Sequence, residues 1–244
     1  MIDIHSHILP CKGDDGSNSM ENTFSLVLSA QRQGASVMFA TPHSEAFSRG
    51  DVFLRFDIMK RMLQSVFPDM GFYLGSEIMC NAAAMGEILR ALESGTLATM
   101  NDSRYVLVEF DADVQQDSVD DCLSELLDVK FIPILAHWER YVNLHNQLDY
   151  IRKFRQLGCL VQVNVYSLEE YSDESVRDWA RTLIGQKLVD FLGTDCHKTW
   201  FRPPSIQQGM EWLKENCRDR EYLDAILFKN AEELLIRKEC EHIC

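Results

Sequence analysis

Histidine and carboxylate side chains recur two residues apart along this sequence, a spacing that suits metal binding. His5 and His7 stand near the amino terminus, and Asp195 and His197 repeat the pattern later in the chain. Residues spaced in this way point to the same side of an extended strand. Imidazole and carboxylate ligands without thiolate favour Mn, Fe or Zn. The full set of candidate ligands is His5, His7, Asp15, His43, Glu77, Glu109, His137, Asp195 and His197.

Short apolar runs rich in β-branched and aromatic residues are the elements that must position these ligands. Seven runs are predicted as strands, at 2–5, 36–41, 72–78, 105–110, 131–136, 159–163 and 189–192. Helix-like segments cover 19–33, 52–67, 83–94, 118–129, 144–157, 175–187, 205–216 and 221–237. Alternation of strand and helix predicts parallel strands, in either a doubly wound sheet or a closed barrel.

Six of the seven predicted strands lead into a candidate ligand. In α/β barrels the loops at the carboxyl ends of the strands carry the chemistry. Each residue alone is more typical of a helix cap or a solvated loop, but their coincidence at successive strand ends indicates one shared metal site. Nine ligands exceed the needs of one or two ions, so we expect three clustered divalent ions bridged by Glu77. Four carboxylates against three such ions leave a charge of about +2.

Other polar residues near the predicted strands have less specific roles. Arg140 and Arg202 follow His137 and His197 closely, and their guanidinium groups match phosphate oxygens, so both are expected to bind an anionic substrate. Asp3 either orients a histidine or makes a buried structural hydrogen bond. Two histidines outside the strand ends, His145 and His242, are expected on the surface.

Length and composition limit the class of protein. The 244 residues are 46% hydrophobic, and an α/β barrel can use this length as a single domain. The net charge of −14 disfavours nucleic acid as a partner. No apolar run is long enough for membrane insertion, and the amino terminus has no signal-peptide pattern, so a cytoplasmic location is expected. The eight scattered cysteines are expected to be reduced.

Specific sequence motifs connect the candidate ligands to a known family. The stretches are MIDIHSHILP, DDG, ATPH, GSEI, NDSRYVLVEF, ILAHWERY, LVQVN and TDCHKTWFRPP, and together they run from Met1 to about Pro204. They resemble the PHP (polymerase and histidinol phosphatase) metal-dependent hydrolases. The resemblance is strongest to the bacterial protein-tyrosine phosphatase branch of the CpsB/CapC/YwqE type.

The resemblance implies a fold, a metal centre and a reaction. The fold would be a distorted (β/α)7 TIM-like barrel forming one PHP domain over residues 1–244. The cofactor would be three divalent ions, normally manganese, with iron or zinc as alternatives. The substrate would be phosphotyrosine on a cognate bacterial tyrosine kinase that controls capsule or exopolysaccharide synthesis. A hydroxide bridging the metals would attack phosphorus.

The same resemblance implies a role for each site residue. Arg140 and Arg202 would bind the phosphate. The family motif leaves open whether Asp14 or Asp15 is the ligand, because the stretch before the two aspartates is one residue longer than expected; we choose Asp15. The first metal would bind His5, His7, Asp195 and the bridging Glu77; the second would add Glu109 and His137; the third would take Asp15, His43 and His197.

Other functions fit parts of the same pattern. A histidinol-phosphate phosphatase or another small-molecule phosphoesterase would use the same metal chemistry, and a proofreading exonuclease is disfavoured by the negative charge. Cys196 and Arg202 match the C-x5-R pattern of thiol-based tyrosine phosphatases, but no glycine lies between them to help form a phosphate cradle. A non-catalytic regulator that binds a kinase is the alternative from another class. The sequence leaves the oligomeric state open.

Overall fold

Strands and helices alternate along the chain in the computed structural model, which describes residues 1–236. The strands are β1 (Ile2–Asp3), β2 (Val37–Ala40), β3 (Gly71–Leu74), β4 (Glu77–Met79), β5 (Tyr105–Glu109), β6 (Ile132–Leu135), β7 (Leu160–Asn164) and β8 (Phe191–Gly193). The helices are α1 (Met20–Arg32), α2 (Glu45–Arg49), α3 (Val52–Val66), α4 (Met85–Glu93), α5 (Gln116–Asp128), α6 (Leu148–Gln156), α7 (Glu174–Gly185), α8 (Gln207–Asn216), α9 (Arg220–Asp224) and α10 (Asn230–Leu235).

All strand pairs among these elements are parallel, which confirms the predicted α/β class. The strands form two sheets, ordered β1-β2-β3 and β4-β5-β6-β7-β8. Within residues 1–236 the paired strands therefore do not make the single closed barrel of seven strands that we expected. Isolated bridges join the edges of the two sheets: Ser6 pairs with Cys196, and His43 pairs with Glu77.

The division into two sheets arises where one predicted strand, 72–78, is broken. Gly75 occupies the break, and a Cβ atom there would lie 2.5 Å from the sulfur of Met100. The chain before the break pairs with β2, and the chain after it pairs with β5. The change of partner turns one predicted run into β3 and β4, and it brings Glu77 to the start of the second sheet.

The helices follow the sequence predictions with local differences. Ser19 caps α1 as predicted, accepting a hydrogen bond from the backbone N–H of Asn22. Two 3₁₀ turns, Trp138–Arg140 and Val142–Leu144, occupy the chain before α6, so this helix begins later than predicted. The predicted helix 221–237 is instead α9, a π-helical turn and α10, and its last residue lies outside the described residues.

Two groups of buried apolar side chains support the sheets. The larger one lies among the helices and the strands they cover. The smaller one joins both sheets to α10, and its members include Ile4, Phe39, Leu107, Ile134 and Leu234. Asn101 fastens the same helix by donating hydrogen bonds to the carbonyls of Leu234 and Leu235. The strands that lead to the candidate ligands are therefore held by closely packed apolar side chains.

No helix among the described residues combines the length and apolar character needed to cross a membrane.

Candidate metal centre

The nine candidate ligands meet in one place, at the carboxyl ends of the strands. Seven of their side chains are almost fully buried, whereas His43 is partly exposed and the carboxylate of Asp15 is 64% exposed. Three groups each place ligand atoms within 4.8 Å of one another: His7, Asp15, His43 and His197; His5, His7 and Glu77; His43, Glu77 and Glu109. The fold therefore brings together residues that lie far apart in the chain.

Glu77 lies at the middle of the cluster. Its buried carboxylate faces four imidazole rings, which come from the ends of β1 and β6 and from the loop after β2. Such a carboxylate has the position expected of a bridging ligand. The contacts are His5 Nε2 at 3.1 Å, His7 Nε2 at 3.0 Å, His43 Nδ1 at 3.3 Å and His137 Nε2 at 2.9 Å.

The orientations of His5 and His7 suit metal ligands. The Nδ1 atom of His5 lies 3.2 Å from Gln162 Oε1, and that of His7 lies 2.9 Å from Asp14 Oδ1. When these Nδ1 atoms donate, each neutral ring directs the lone pair of Nε2 into the cluster. The two Nε2 atoms are only 3.3 Å apart, so their lone pairs repel unless a proton or a cation lies between them. The donor set therefore fits divalent ions.

Asp14 and Asp15 have different surroundings, although they are adjacent in the sequence. Asp14 accepts hydrogen bonds from the His7 ring and from the backbone N–H of His43, both at 2.9 Å. Asp15 faces the other rings, with Oδ1 3.1 Å from His197 Nε2 and 3.4 Å from His43 Nε2. This geometry favours Asp15 as a ligand and gives Asp14 the task of orienting His7.

Asp195 connects the cluster of candidate ligands to both arginines. Its Oδ2 lies 2.7 Å from Nη1 of Arg140 and 3.6 Å from Nη1 of Arg202, while Oδ1 lies 3.6 Å from His5 Nε2. Arg140 also donates to the hydroxyl of Tyr166. The predicted phosphate-binding side chains therefore border the predicted metal ligands. A cavity of about 310 Å³ is lined by both arginines and by seven of the candidate ligands.

Two buried amides on β7 position several of these groups, and neither was predicted from the sequence. Gln162 Oε1 accepts from the backbone N–H of His137 at 2.8 Å and lies beside His5 Nδ1. Gln162 Nε2 donates to Asn164 Oδ1, and Asn164 Nδ2 donates to Asp195 Oδ2. The available signal was the alternation of polar Gln162 and Asn164 within the apolar run LVQVN.

The backbone is strained at three site residues. His137, Asp195 and Arg202 have φ angles of +33°, +51° and +51°, in the left-handed region that non-glycine residues rarely adopt. Strain of this kind persists where surrounding contacts hold it, and it occurs often at functional sites. All three residues line the cavity that contains the candidate ligands.

Two glycines permit the backbone to pass close to His5 and His7 at the centre. A Cβ atom at Gly16 would lie 2.2 Å from Cβ of His7, and one at Gly193 would lie 2.6 Å from Cβ of His5. No side chain fits at either position without displacing a candidate ligand.

The charge around the rings changes their protonation in the metal-free protein. Burial disfavours the charged form of His43, but Asp15 and Glu109 outweigh it and raise the pKa of His43 to about 10. Burial and Arg140 likewise oppose protonation of His137, yet Glu109 and Glu77 raise its pKa to about 9. The cluster of acids therefore attracts positive charge strongly, whether as protons or as metal ions.

The remaining polar predictions have mixed outcomes. Of the two roles considered for Asp3, the structure shows the buried structural hydrogen bond. Its carboxylate accepts from the backbone N–H and hydroxyl of Thr194 and from the backbone N–H of His5. His145 is half-buried rather than on the surface, because its Nε2 lies 2.7 Å from the carbonyl oxygen of Glu139. His242 lies outside the described residues.

The thiol predicted from the C-x5-R pattern, Cys196, does not have the surroundings of a nucleophile. Six cysteines among residues 1–236 are free, as predicted, and Cys240 and Cys244 lie beyond the described part of the chain. Cys196, the candidate nucleophile of the C-x5-R pattern, is fully buried among apolar side chains. Burial raises the pKa of this thiol, so it is not present as the reactive thiolate.

Known proteins share both this sequence and this fold. The tyrosine-protein phosphatase CpsB of Streptococcus pneumoniae is 32% identical over 222 residues, covering 86% of this chain and 88% of the relative. YwqE of Bacillus subtilis, also named a tyrosine-protein phosphatase, is 27% identical, covering 96% and 91% of the two chains. Crystal structures of YwqE and CpsB, described as unique metal-dependent tyrosine phosphatases, include a match with a TM-score of 0.83 at 25% identity, covering 96% and 94%.

More distant structures share the fold alone. Histidinol phosphate phosphatase from Lactococcus lactis matches with a TM-score of 0.55 at 16% identity, covering 88% of this chain and 92% of that one.

A sequence model of the family described as capsular polysaccharide synthesis, CpsB/CapC, matches residues 1–236. With this match over nearly the whole chain, the protein belongs to the CpsB/CapC family.

Proposed function

We propose that this protein is a metal-dependent protein-tyrosine phosphatase. The observation that carries the proposal is the single cavity in which buried histidine and carboxylate ligands adjoin two arginines. The ligands suit divalent metals, and the guanidinium groups suit a phosphoryl group. Relatives named as tyrosine-protein phosphatases support phosphotyrosine as the substrate.

The proposed cofactor is three divalent ions, with manganese as the first choice and iron or zinc as alternatives. Three overlapping groups of ligand atoms support that number, since His7, His43 and Glu77 each belong to two groups. His137 and Asp195 would complete the coordination from the edges of these groups, through their contacts with Glu77 and with His5.

The residues of the chain would bind and orient the phosphate. Divalent ions in this site would lower the pKa of a water molecule to supply the nucleophile and would neutralise phosphate charge. Arg140 and Arg202 would donate hydrogen bonds to the phosphoryl oxygens, an arrangement that stabilises the transition state. Arg140 is preorganised for this task because Asp195 and Tyr166 hold its guanidinium group. The phenolate leaving group, with a pKa of about 10, needs no strong general acid.

The proposed biological substrate is phosphotyrosine on a bacterial tyrosine kinase that controls capsule or exopolysaccharide synthesis. The name of the family, capsular polysaccharide synthesis, supports the pathway. We place the reaction in the cytoplasm, and the free thiols among residues 1–236 are consistent with a reducing compartment.

We also infer that the two sheets are arcs of one distorted barrel and that residues 1–244 form a single domain. The backbone bonds from His7 N to Cys196 O and from Asp195 N to His5 O, each 2.8 Å, support joining β1 to β8. On the other side, Ser44 N donates to Glu77 O at 2.8 Å. The cluster of apolar side chains shared by both sheets supports one folding unit.

Turnover of a phosphotyrosine peptide by the full chain tests the proposal. Activity should be absent after chelation and return when Mn²⁺ is added. The Cys196→Ser variant should remain active, because its thiol takes no part. A chain that loads metal but hydrolyses no phosphotyrosine peptide would contradict the proposal and favour the non-catalytic regulator.

Comparison of leaving groups separates the two phosphatase alternatives. A phosphotyrosine phosphatase should hydrolyse aryl phosphates much faster than alkyl phosphates, because phenolate is the better leaving group. Faster turnover of histidinol phosphate than of phosphotyrosine would favour the small-molecule enzyme instead.

A further inference from the structure

A second cavity, of about 450 Å³, adjoins the catalytic cavity. Arg140 and Arg202 line both cavities and therefore lie at the boundary between the two. The size lies within the range of ligand-binding clefts. A phosphorylated chain bound by these arginines would therefore place residues next to its phosphotyrosine at the opening of the second cavity.

The walls of this cavity are mainly apolar. They come from the segment after β7, from the first turn of α7 and from the loop that carries Arg202. Tyr166 is fixed in place, since its hydroxyl accepts from Arg140, whose guanidinium carbon lies 5.6 Å from the ring centroid. The apolar lining residues are Tyr166, Tyr171, Val176 and Pro203.

Apart from Arg140 and Arg202, which the phosphate would engage, the charged groups of the cavity are carboxylates. Glu169 and Asp173 contribute carboxylates that are already engaged within the protein. Glu169 accepts from the hydroxyl of Ser205, and Asp173 accepts from two backbone N–H groups at the start of α7. With both arginines bound to the phosphate, an acidic residue on the substrate would face these two negative charges, and ionised carboxylates have no hydrogen-bond donor to offer it.

We propose that this cavity is a specificity subsite that binds an apolar side chain flanking the phosphotyrosine of a protein substrate. The inference rests on the proposed function and deepens it. The catalytic cavity would bind the phosphotyrosine itself, and the subsite would distinguish peptides by their neighbouring residues. A small aryl phosphate occupies only the first cavity, so it serves as an internal control.

Phosphotyrosine peptides that carry leucine, alanine or aspartate at single positions on either side of the phosphotyrosine test the subsite. With wild-type protein and Mn²⁺, leucine at one position should raise kcat/KM about tenfold over alanine, mainly through KM, and aspartate should lower it. Val176→Glu should abolish the preference for leucine, because it places a charge in the apolar wall. This variant should hydrolyse 4-nitrophenyl phosphate at the wild-type rate.

Val66→Glu is the matched control, since Val66 is exposed at the end of α3 and lines neither cavity. It should keep the preference for leucine. The subsite proposal is wrong if wild-type protein shows no preference for leucine at any peptide position. It is equally wrong if Val176→Glu leaves the preference intact, or slows 4-nitrophenyl phosphate by the same factor as the peptides.

A binding measurement separates failure of the subsite from failure of the proposed function. Fluorescence anisotropy of the labelled leucine peptide reports affinity without turnover, and Val176→Glu should weaken this affinity about tenfold while Val66→Glu should not. A wild-type protein that binds the peptide in this pattern but hydrolyses nothing would overturn the enzymatic function alone. Equal affinity of all three proteins would overturn the subsite.

Discussion

Asp14 and Asp15 show how neighbouring residues of the same type acquire different tasks. Both are carboxylates in the loop between β1 and α1, but Asp14 is enclosed against His7 and the backbone of His43, whereas Asp15 extends toward His43 and His197. Removal of a residue that orients a ligand and removal of a ligand itself have different effects on metal affinity. Second-layer partners change metal affinity by about 10- to 100-fold, while loss of a ligand can empty a site.

Substitution of each aspartate by asparagine is the first test of these roles. Asp15→Asn should reduce the number of bound Mn²⁺ ions by one, because it removes a charged ligand from the group at His43 and His197. Asp14→Asn should keep the full number and bind metal about 10- to 100-fold more weakly. Metal content after equilibrium dialysis against a series of Mn²⁺ concentrations measures both. The reverse pattern, with an ion lost only from Asp14→Asn, would show that the assignment is exchanged.

Protonation of the imidazoles predicts a pH dependence of metal binding. The pKa values of His43 and His137 are raised to about 10 and about 9. In the metal-free protein both rings are therefore in the positively charged imidazolium form at neutral pH, with a proton on each nitrogen. A metal ion requires the deprotonated ring nitrogen, so binding must release protons, and the apparent affinity must rise as pH increases from about 6 to about 9. Calorimetry of Mn²⁺ binding in buffers of different ionisation enthalpy measures the release. An affinity that is constant over this range would contradict the prediction.

At the scale of elements, β7 supports the site from within the sheet without supplying a candidate ligand. Gln162 and Asn164 occupy alternate positions of this strand, so both side chains emerge on the same face. They connect His5, the backbone of His137 and Asp195 in one buried chain of hydrogen bonds. Ligands from three separate strand ends are thereby held in one arrangement by a fourth strand.

Gln162→Leu should therefore weaken the centre without removing a ligand. The variant leaves two donors, the Nδ1–H of His5 and the N–H of His137, without their acceptor, which costs about 1–3 kcal/mol of stability per buried group. Mn²⁺ affinity should fall about 10- to 100-fold, measured by competition with a fluorescent chelator. Gln162→Glu keeps an acceptor oxygen at this position and should recover part of the affinity.

Gln156→Leu provides the control for this substitution, since Gln156 is exposed at the end of α6. It should bind metal as the wild-type protein does. Wild-type affinity in Gln162→Leu would mean that the ligands hold their orientation without the amide.

For the whole molecule, the cost of burying like charges is concentrated at one end of the fold. Glu77 and Asp195 are almost fully buried, and their carboxylates lie 3.1 and 3.6 Å from the same atom, His5 Nε2. The whole protein carries a net charge of −14. Divalent ions bound here offset these charges in the folded state, which binds them more tightly than the unfolded chain. The stability of the fold and the occupancy of the site are therefore linked.

Thermal unfolding with and without metal measures this linkage. Mn²⁺ at about 100 times its dissociation constant should stabilise the protein by about 2.7 kcal/mol for one site. For a chain of this size the melting temperature should rise by about 5–10 °C relative to protein in excess chelator. Differential scanning fluorimetry gives the shift. Equal melting temperatures would show that the site does not bind the ion in the folded state.

The overall architecture was predictable where local pattern decides it. Apolar runs alternating with amphipathic segments correctly predicted parallel strands, and the Ser19 cap of α1 was readable from residue type alone. The break at Gly75 was not predicted, because it depends on the packing of Met100 against the strand. The closed barrel was not confirmed either, because β3 and β4 pair in different sheets. Strand pairing across such a break depends on tertiary contacts and not on local sequence.

By itself, the sequence determined the chemistry of the site, since histidine and carboxylate residues at strand ends can serve a metal in any parallel arrangement that brings those ends together. Only the tertiary structure decided which groups share an ion, which aspartate faces the rings, and that two arginines separate the catalytic cavity from a second one. The physical reason is distance. The contact between His5 and Gln162 joins residues 157 positions apart, and no local pattern reports a separation of 3.2 Å across such an interval.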